Sequence, residues 1–169
     1  MTLERGSARW WGTKVRQFKS HLRARVSAEE RATLETWLSP DQLKLFDAMH
    51  VADQRHGLDV VSSLEDAGVT DREVLLAGLL HDCGKGRTGV VPRVVHALGQ
   101  AYGDRITHVA RAVPGMRAAL DQLADHAETS AELAARAACP PRTVELIRNQ
   151  EEPRDPDFGE LLRAADEAN

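Results

Sequence analysis

The stretch EVLLAGLLHDCGKGR, residues 73–87, constrains this chain more than any other. From Val74 to Leu80 every residue is apolar or small, and the run ends on His81 and Asp82. A segment that is apolar all round belongs in the centre of a fold, where an imidazole and a carboxylate are costly unless something partners them. A short apolar run could also be a buried strand. Here Thr70 and Glu73 have the spacing of a capping box, and the Leu and Ala content favours a helix. Adjacent helical residues point roughly 100° apart, so His81 and Asp82 can converge only on a point beyond the helix end. Imidazole nitrogen and carboxylate oxygen meeting there suit a divalent ion such as Mn, Fe, Co, Ni or Zn.

The rest of the chain fits helices packed on helices. Its 169 residues and 42% hydrophobic content support one core of ordinary size, and Ala and Leu outweigh the β-branched residues in a chain only 4% aromatic. Capping chemistry places a helix from Ser27 with Glu30 to about Leu38, and another opening at Ser39, Pro40 and Gln42. A helix from about Ala52 to Ala67 ends at Gly68 and carries His56. Gly84, Gly86 and Gly89 break the chain after the His-Asp doublet; Pro92 opens a helix to about Leu98, and a short one spans about Asp104 to Ala112. Met116–Ala138 reads as one or two helices, Pro140 and Pro141 start one to about Asn149, and the last runs from about Phe158 past Asp166. The fold class expected is all-α, with residues 1–49 as N-terminal helices packed on a core formed by residues 50–169.

The net charge of -4 gives no global field for a polyanion, but the sign is uneven. Arg5, Arg9, Lys14, Arg16, Lys19, Arg23 and Arg25 face a single acid, Glu4, and Trp11, Val15, Phe18 and Leu22 recur at helical spacing. Such a helix could touch nucleic acid or an anionic membrane surface; docking of its apolar stripe on the core, with the cations solvated, is the reading adopted. Cys83 and Cys139 form no ligand or disulfide pattern, consistent with reduced thiols and a cytoplasmic setting. No apolar run reaches the roughly 18 residues of a membrane span.

Taken together, RHGLDVV with His56, LLHDCGK with His81, Asp82 and Lys85, and LLRAADEAN with Asp166 resemble the HD-domain superfamily of metal-dependent phosphohydrolases over about residues 50–169. That family has a lone His, a His-Asp doublet and a distant Asp on separate helices. The resemblance implies a single-domain helical bundle that holds one divalent ion, among Mn, Fe, Co, Ni, Zn and Mg, on His56, His81, Asp82 and Asp166. It also implies hydrolysis of a small phosphorylated metabolite or nucleotide. Asp82 would ligate and orient the attacking water, with Lys85 and Arg87 neutralising phosphoryl charge and Arg55 a further phosphate contact.

Members with two metals place two more histidines before the last Asp. Here His126 stands in the first place and Gln150 in the second. A neutral amide is a poor transition-metal ligand, which favours one ion, with His126 a residual ligand or a substrate contact. Asp125 and Glu128 suggest that His126 lies on an exposed face. His21, His50, His96 and His108 match no motif and read as surface groups. The alternative functions are a catalytically silent metal- or nucleotide-binding module and a di-iron oxygenase.

Overall fold

A computed structural model describes residues 24–169 apart from 87, 89 and 104, so the basic stretch 1–23 and Arg87 lie outside the described residues. The regular structure of the described residues is entirely helical. In chain order the helices are α1 (Ala28–Glu35), α2 (Pro40–Ala48), α3 (Val51–Asp66), α4 (Arg72–Leu80), α5 (Val90–Tyr102), α6 (Arg105–Ala110), α7 (Met116–Ala124), α8 (His126–Arg136), α9 (Pro141–Arg148) and α10 (Gly159–Ala168). A 3-10 turn, Cys83–Lys85, follows α4. Among the described residues no helix is long and apolar enough to cross a membrane.

Local chemistry sets most boundaries. Ser27 and Glu30 form the expected reciprocal cap, with Glu30 N donating to Ser27 Oγ at 3.1 Å and Ser27 N to Glu30 Oε2 at 2.8 Å. Ser39 and Gln42 repeat the device ahead of Pro40. The end of α3 is a Schellman closure: Val69 N reaches Leu64 O at 3.0 Å and Gly68 N reaches Glu65 O at 2.8 Å, with Gly68 at a φ of 86°. Two expectations need correction. The start of α4 is capped by Asp71, whose Oδ1 accepts from Glu73 N at 2.9 Å, and not by Thr70. Helix α5 begins before Pro92, which a first turn tolerates because its N–H groups lack helical partners, and it runs on to Tyr102. The Met116–Ala138 stretch is two helices, broken at Asp125.

Val74 to Leu80 are all buried, so α4 is the central helix that its apolar run predicts. One apolar cluster joins Leu34, Phe46, Leu64, Leu79, Ile147 and Leu162, so residues on both sides of position 50 share a core. The crossing of α3 on α4 depends on absent side chains. A Cβ at Gly57 would stand 2.4 Å from Leu79 O, and one at Gly78 would stand 2.9 Å from Leu64 Cδ1. Because Gly57 follows His56 and Leu79 lies two residues before His81, this close backbone approach sets how near the two imidazoles come.

A polar staple holds the far end of α4. Arg142 donates to Asp155 Oδ2 at 2.7 Å and to Asp71 Oδ2, on the α4 cap, at 3.0 Å; Asp155 Oδ1 accepts from the backbone of Asp157 and Phe158. The Arg142 bond, with those backbone donors, draws the Asp155 carboxyl down to about 2.

Two outcomes follow for stability. Gly57→Ala forces α3 and α4 apart and is expected to cost about 1–3 kcal/mol, read as a lower denaturant midpoint at unchanged slope. For Asp155, the unfolded carboxyl, near an ordinary value of about 3.9, takes up a proton as pH falls from about 4 to 2 while the folded one resists. Its contribution is therefore full above pH 4 and lost as pH falls toward 2. Asp155→Asn should be less stable than the parent at neutral pH, with the gap closing across that window in acid-unfolding curves.

Candidate metal centre

The apolar helix α4 ends at Leu80 still inside the core, and His81 and Asp82 just beyond it are both only 2% exposed. His81 Nδ1 lies 2.9 Å from Gly78 O, an acceptor only, so Nδ1 carries hydrogen and Nε2 is the atom turned toward the neighbouring helices. From α3, His56 stands edge-on to His81 with ring centroids 5.2 Å apart. From α10, Asp166 Oδ1 lies 2.8 Å from His56 Nε2 and 3.3 Å from His81 Nε2. Ligand atoms of His56, His81 and Asp166 all fall within 4.8 Å of one another. Asp82 closes the group, with Oδ1 3.4 Å from His81 Nε2 and Oδ2 4.0 Å from His56 Nε2. Side chains expected to meet from three distant parts of the sequence therefore do meet.

The charges in this cluster are strongly coupled. Burial alone would depress the pKa of His81, but the carboxylates of Asp82 and Asp166 outweigh it and hold the imidazole up at about 9. Burial would raise both carboxyls; His81 with Lys85 holds Asp82 low, and the hydrogen bond from His56 with the nearby charge of His81 holds Asp166 low. Lys85 Nζ donates to Asp82 Oδ2 at 2.5 Å, and the carboxylates raise its pKa against the effect of burial.

The donor set fits a cation. His81 Nε2 and Asp82 Oδ1 are buried without a hydrogen-bond partner. Such orphaned polar atoms are rare in folded proteins and costly where they occur. A divalent ion among two imidazole nitrogens and two carboxylates would satisfy both and would sit in the same negative field that keeps a proton on His81.

His126, at the start of α8, is buried and not on the exposed face expected from its neighbours, whereas Asp125 and Glu128 do face solvent. Its Nδ1 lies 2.8 Å from Leu123 O, which leaves Nε2 pointing inward, 3.7 Å from Asp82 Oδ1 and 3.3 Å from Gln150 Nε2. Burial, then the Lys85 charge, lowers the His126 pKa. Gln150 also reaches His81 O at 3.5 Å, and its Oε1 is a third buried atom without a partner. Both residues therefore line the cluster.

Other expectations fall away. The Arg55 guanidinium, expected as a further phosphate contact, is engaged in ion pairs with Glu30 and Asp59. Nor is His50 an idle surface group, since its Nδ1 accepts from Ala52 N at 3.2 Å and caps α3.

Sequence reasoning also missed the side chains that hold the 83–88 turn. Gly84 N donates to Ser130 Oγ at 2.8 Å, and a Cβ at Gly84 would stand 2.5 Å from Ser130 N. Gln122 Nε2 reaches Gly84 O at 3.4 Å, and Arg93 bonds Asp53, Gly86 and Thr88. Asp53 precedes His56 by one helical turn, and that spacing was the one available signal. Comparison of the chain with family models, with curated proteins and with solved structures returns no match.

Proposed function

We propose that this chain is a metal-dependent phosphohydrolase of the HD-domain type, acting on a nucleotide or another small phosphate ester. The observation that carries the reading is the convergence of His56, His81, Asp82 and Asp166 around buried donor atoms that the protein leaves unpartnered. These four side chains would hold one divalent ion, of the set Mn, Fe, Co, Ni, Zn or Mg. When bound, such an ion makes a water acidic near neutrality and polarises a phosphoryl oxygen. Asp82, with Oδ1 free and Oδ2 on Lys85, is the carboxylate placed to orient that water and accept its proton. The Lys85 ammonium, a quarter exposed, supplies positive charge beside Asp82 for a phosphoryl oxygen.

One observation favours a second reading, a metal- or nucleotide-binding module without turnover. Lys85 already neutralises Asp82 Oδ2, which weakens that carboxylate as a base. The di-iron oxygenase reading requires a second strong donor set, and there the His126 Nε2 lone pair is met by the Gln150 amide.

Protein purified without chelator is expected to carry about one divalent ion per chain by elemental analysis. Chelation should abolish phosphoesterase activity, and added divalent metal should restore it. His81→Ala and Asp82→Ala, folded by circular dichroism, should each lose more than about a hundredfold in turnover, beyond the 10–100-fold typical of groups one layer out from a metal. Metal binding without turnover on any nucleotide or phosphate ester would select the silent module, and turnover indifferent to both substitutions would remove the hydrolase reading. Gln150→His replaces the amide opposite His126 with a strong donor, so metal content should rise toward two per chain; unchanged content in a folded variant would take His126 out of the metal-binding picture.

A further inference from the structure

The described residues that follow the His-Asp doublet, Cys83–Gly86 and Thr88, lie outside any α-helix, yet they carry Lys85, whose ammonium meets the buried carboxylate of Asp82. The side chain that fixes them is Arg93, from the first turn of α5. Its Nη1 and Nη2 donate to Asp53 Oδ1 and Oδ2 at 2.6 and 2.8 Å, a two-pronged pair whose side chains are only 17% and 6% exposed. The same guanidinium donates from Nη2 to Gly86 O at 3.3 Å, and from Nε to Thr88 O and Oγ1 at 3.2 and 3.1 Å. Thr88 Oγ1 in turn donates to Lys85 O at 3.2 Å. Asp53 belongs to α3, one turn ahead of His56. The guanidinium fork is thus bolted to the helix that carries one end of the site and grips the turn that carries the other.

We infer that Arg93, anchored on Asp53, is the positioning residue that keeps Lys85 on Asp82. The functional weight of this rests on the reading of Lys85 as the cation that meets phosphoryl charge. The Nε hydrogen and one Nη2 hydrogen of Arg93 meet carbonyl or hydroxyl oxygens flanking Lys85, while one Nη1 hydrogen and the other Nη2 hydrogen are spent on Asp53. A lysine at position 93 would retain the charge on Asp53 but lose the planar fork that serves both sides at once.

The measurement is site-resolved amine acetylation of the metal-free protein, quantified by mass spectrometry, with the exposed Lys44 as internal reference. Freed from the clamp, Lys85 spends more time away from Asp82, so Arg93→Lys should raise its labelling about fivefold while Lys44 is unchanged. Lys85 labelling that stays at the parent level in folded Arg93→Lys, or that rises together with Lys44, overturns the assignment. Should Arg93→Lys not fold, Thr88→Val removes the hydroxyl that bridges Arg93 to the Lys85 carbonyl without touching Asp53, and the same two outcomes apply. In the metal-loaded protein, Arg93→Lys should lower phosphoesterase turnover in the parent but add little to Lys85→Ala; equal losses in both backgrounds would mean that Arg93 acts elsewhere. Absence of any hydrolysis by the parent would sink the phosphohydrolase reading and leave the labelling result to decide the role of Arg93.

Discussion

The close contact between Gly57 and the Leu79 carbonyl is the constraint on which the rest of the centre depends. Two helices that meet through side chains lie about 8–10 Å apart, whereas a glycine at the crossing lets backbone approach backbone. Here the crossing lies one residue after His56 and two before His81, so the separation of the helices is translated almost directly into the separation of two imidazoles. Gly78, one turn back from His81, extends the same thin seam against Val60, Leu64 and Leu162. Leu162 belongs to α10, and its packing there carries Asp166 to the open side of the pair. The apolar seam and the polar cluster are parts of one arrangement: the first sets distances for the second.

That arrangement concentrates charge where burial opposes it. Asp82 and Asp166 lie together at the end of a wholly apolar helix; the charges of His81 and Lys85 hold Asp82 as a carboxylate, and the hydrogen bond from His56 with the charge of His81 holds Asp166. A proton on His81 and the ammonium of Lys85 offset the two negative charges locally. The lone pairs of Asp82 Oδ1 and Gln150 Oε1 nevertheless remain without donors. Balanced in charge yet leaving His81 Nε2, Asp82 Oδ1 and Gln150 Oε1 without hydrogen-bond partners, the cluster is a group of side chains that could hold a cation.

Much of this was legible in the sequence because its signals are local. The caps at Ser27 and Ser39, the glycine stop at Gly68 and the apolar run ahead of the doublet all act within a few residues of where they are written. The misplaced start of α4 shows the limit of such reading. Thr70 and Glu73 have the right spacing, but Asp71 is an equally competent cap one residue on, and only the path of the chain into Arg142 decides between them. His126 was misjudged for a related reason: flanking acids describe their own faces, and a residue beginning a helix can point into the core while its neighbours do not. Of the Asp53–Arg93 clamp the sequence offers only the position of Asp53 one turn before His56, since its partners lie 40 positions apart and neither belongs to a periodic pattern.

The clamp also bears on why a glycine-rich turn can serve at such a site. Glycines at 84 and 86 are required by space and by backbone angle: Gly84 lies against the first turns of α8, and Gly86 adopts a φ of 60°. Chain rich in glycine loses much conformational entropy on ordering and would not by itself hold a lysine in one place. The order comes from outside the turn, through Ser130 of α8, Gln122 of α7 and Arg93 of α5, each bonding a backbone group or side chain that the turn leaves unpaired. Of these, the arginine alone is tied by a charged pair to the helix that carries His56. Displacement of the turn relative to the imidazoles must therefore either break the Arg93 bonds to Gly86 and Thr88 or open a two-pronged ion pair that is largely withdrawn from water, a costly step.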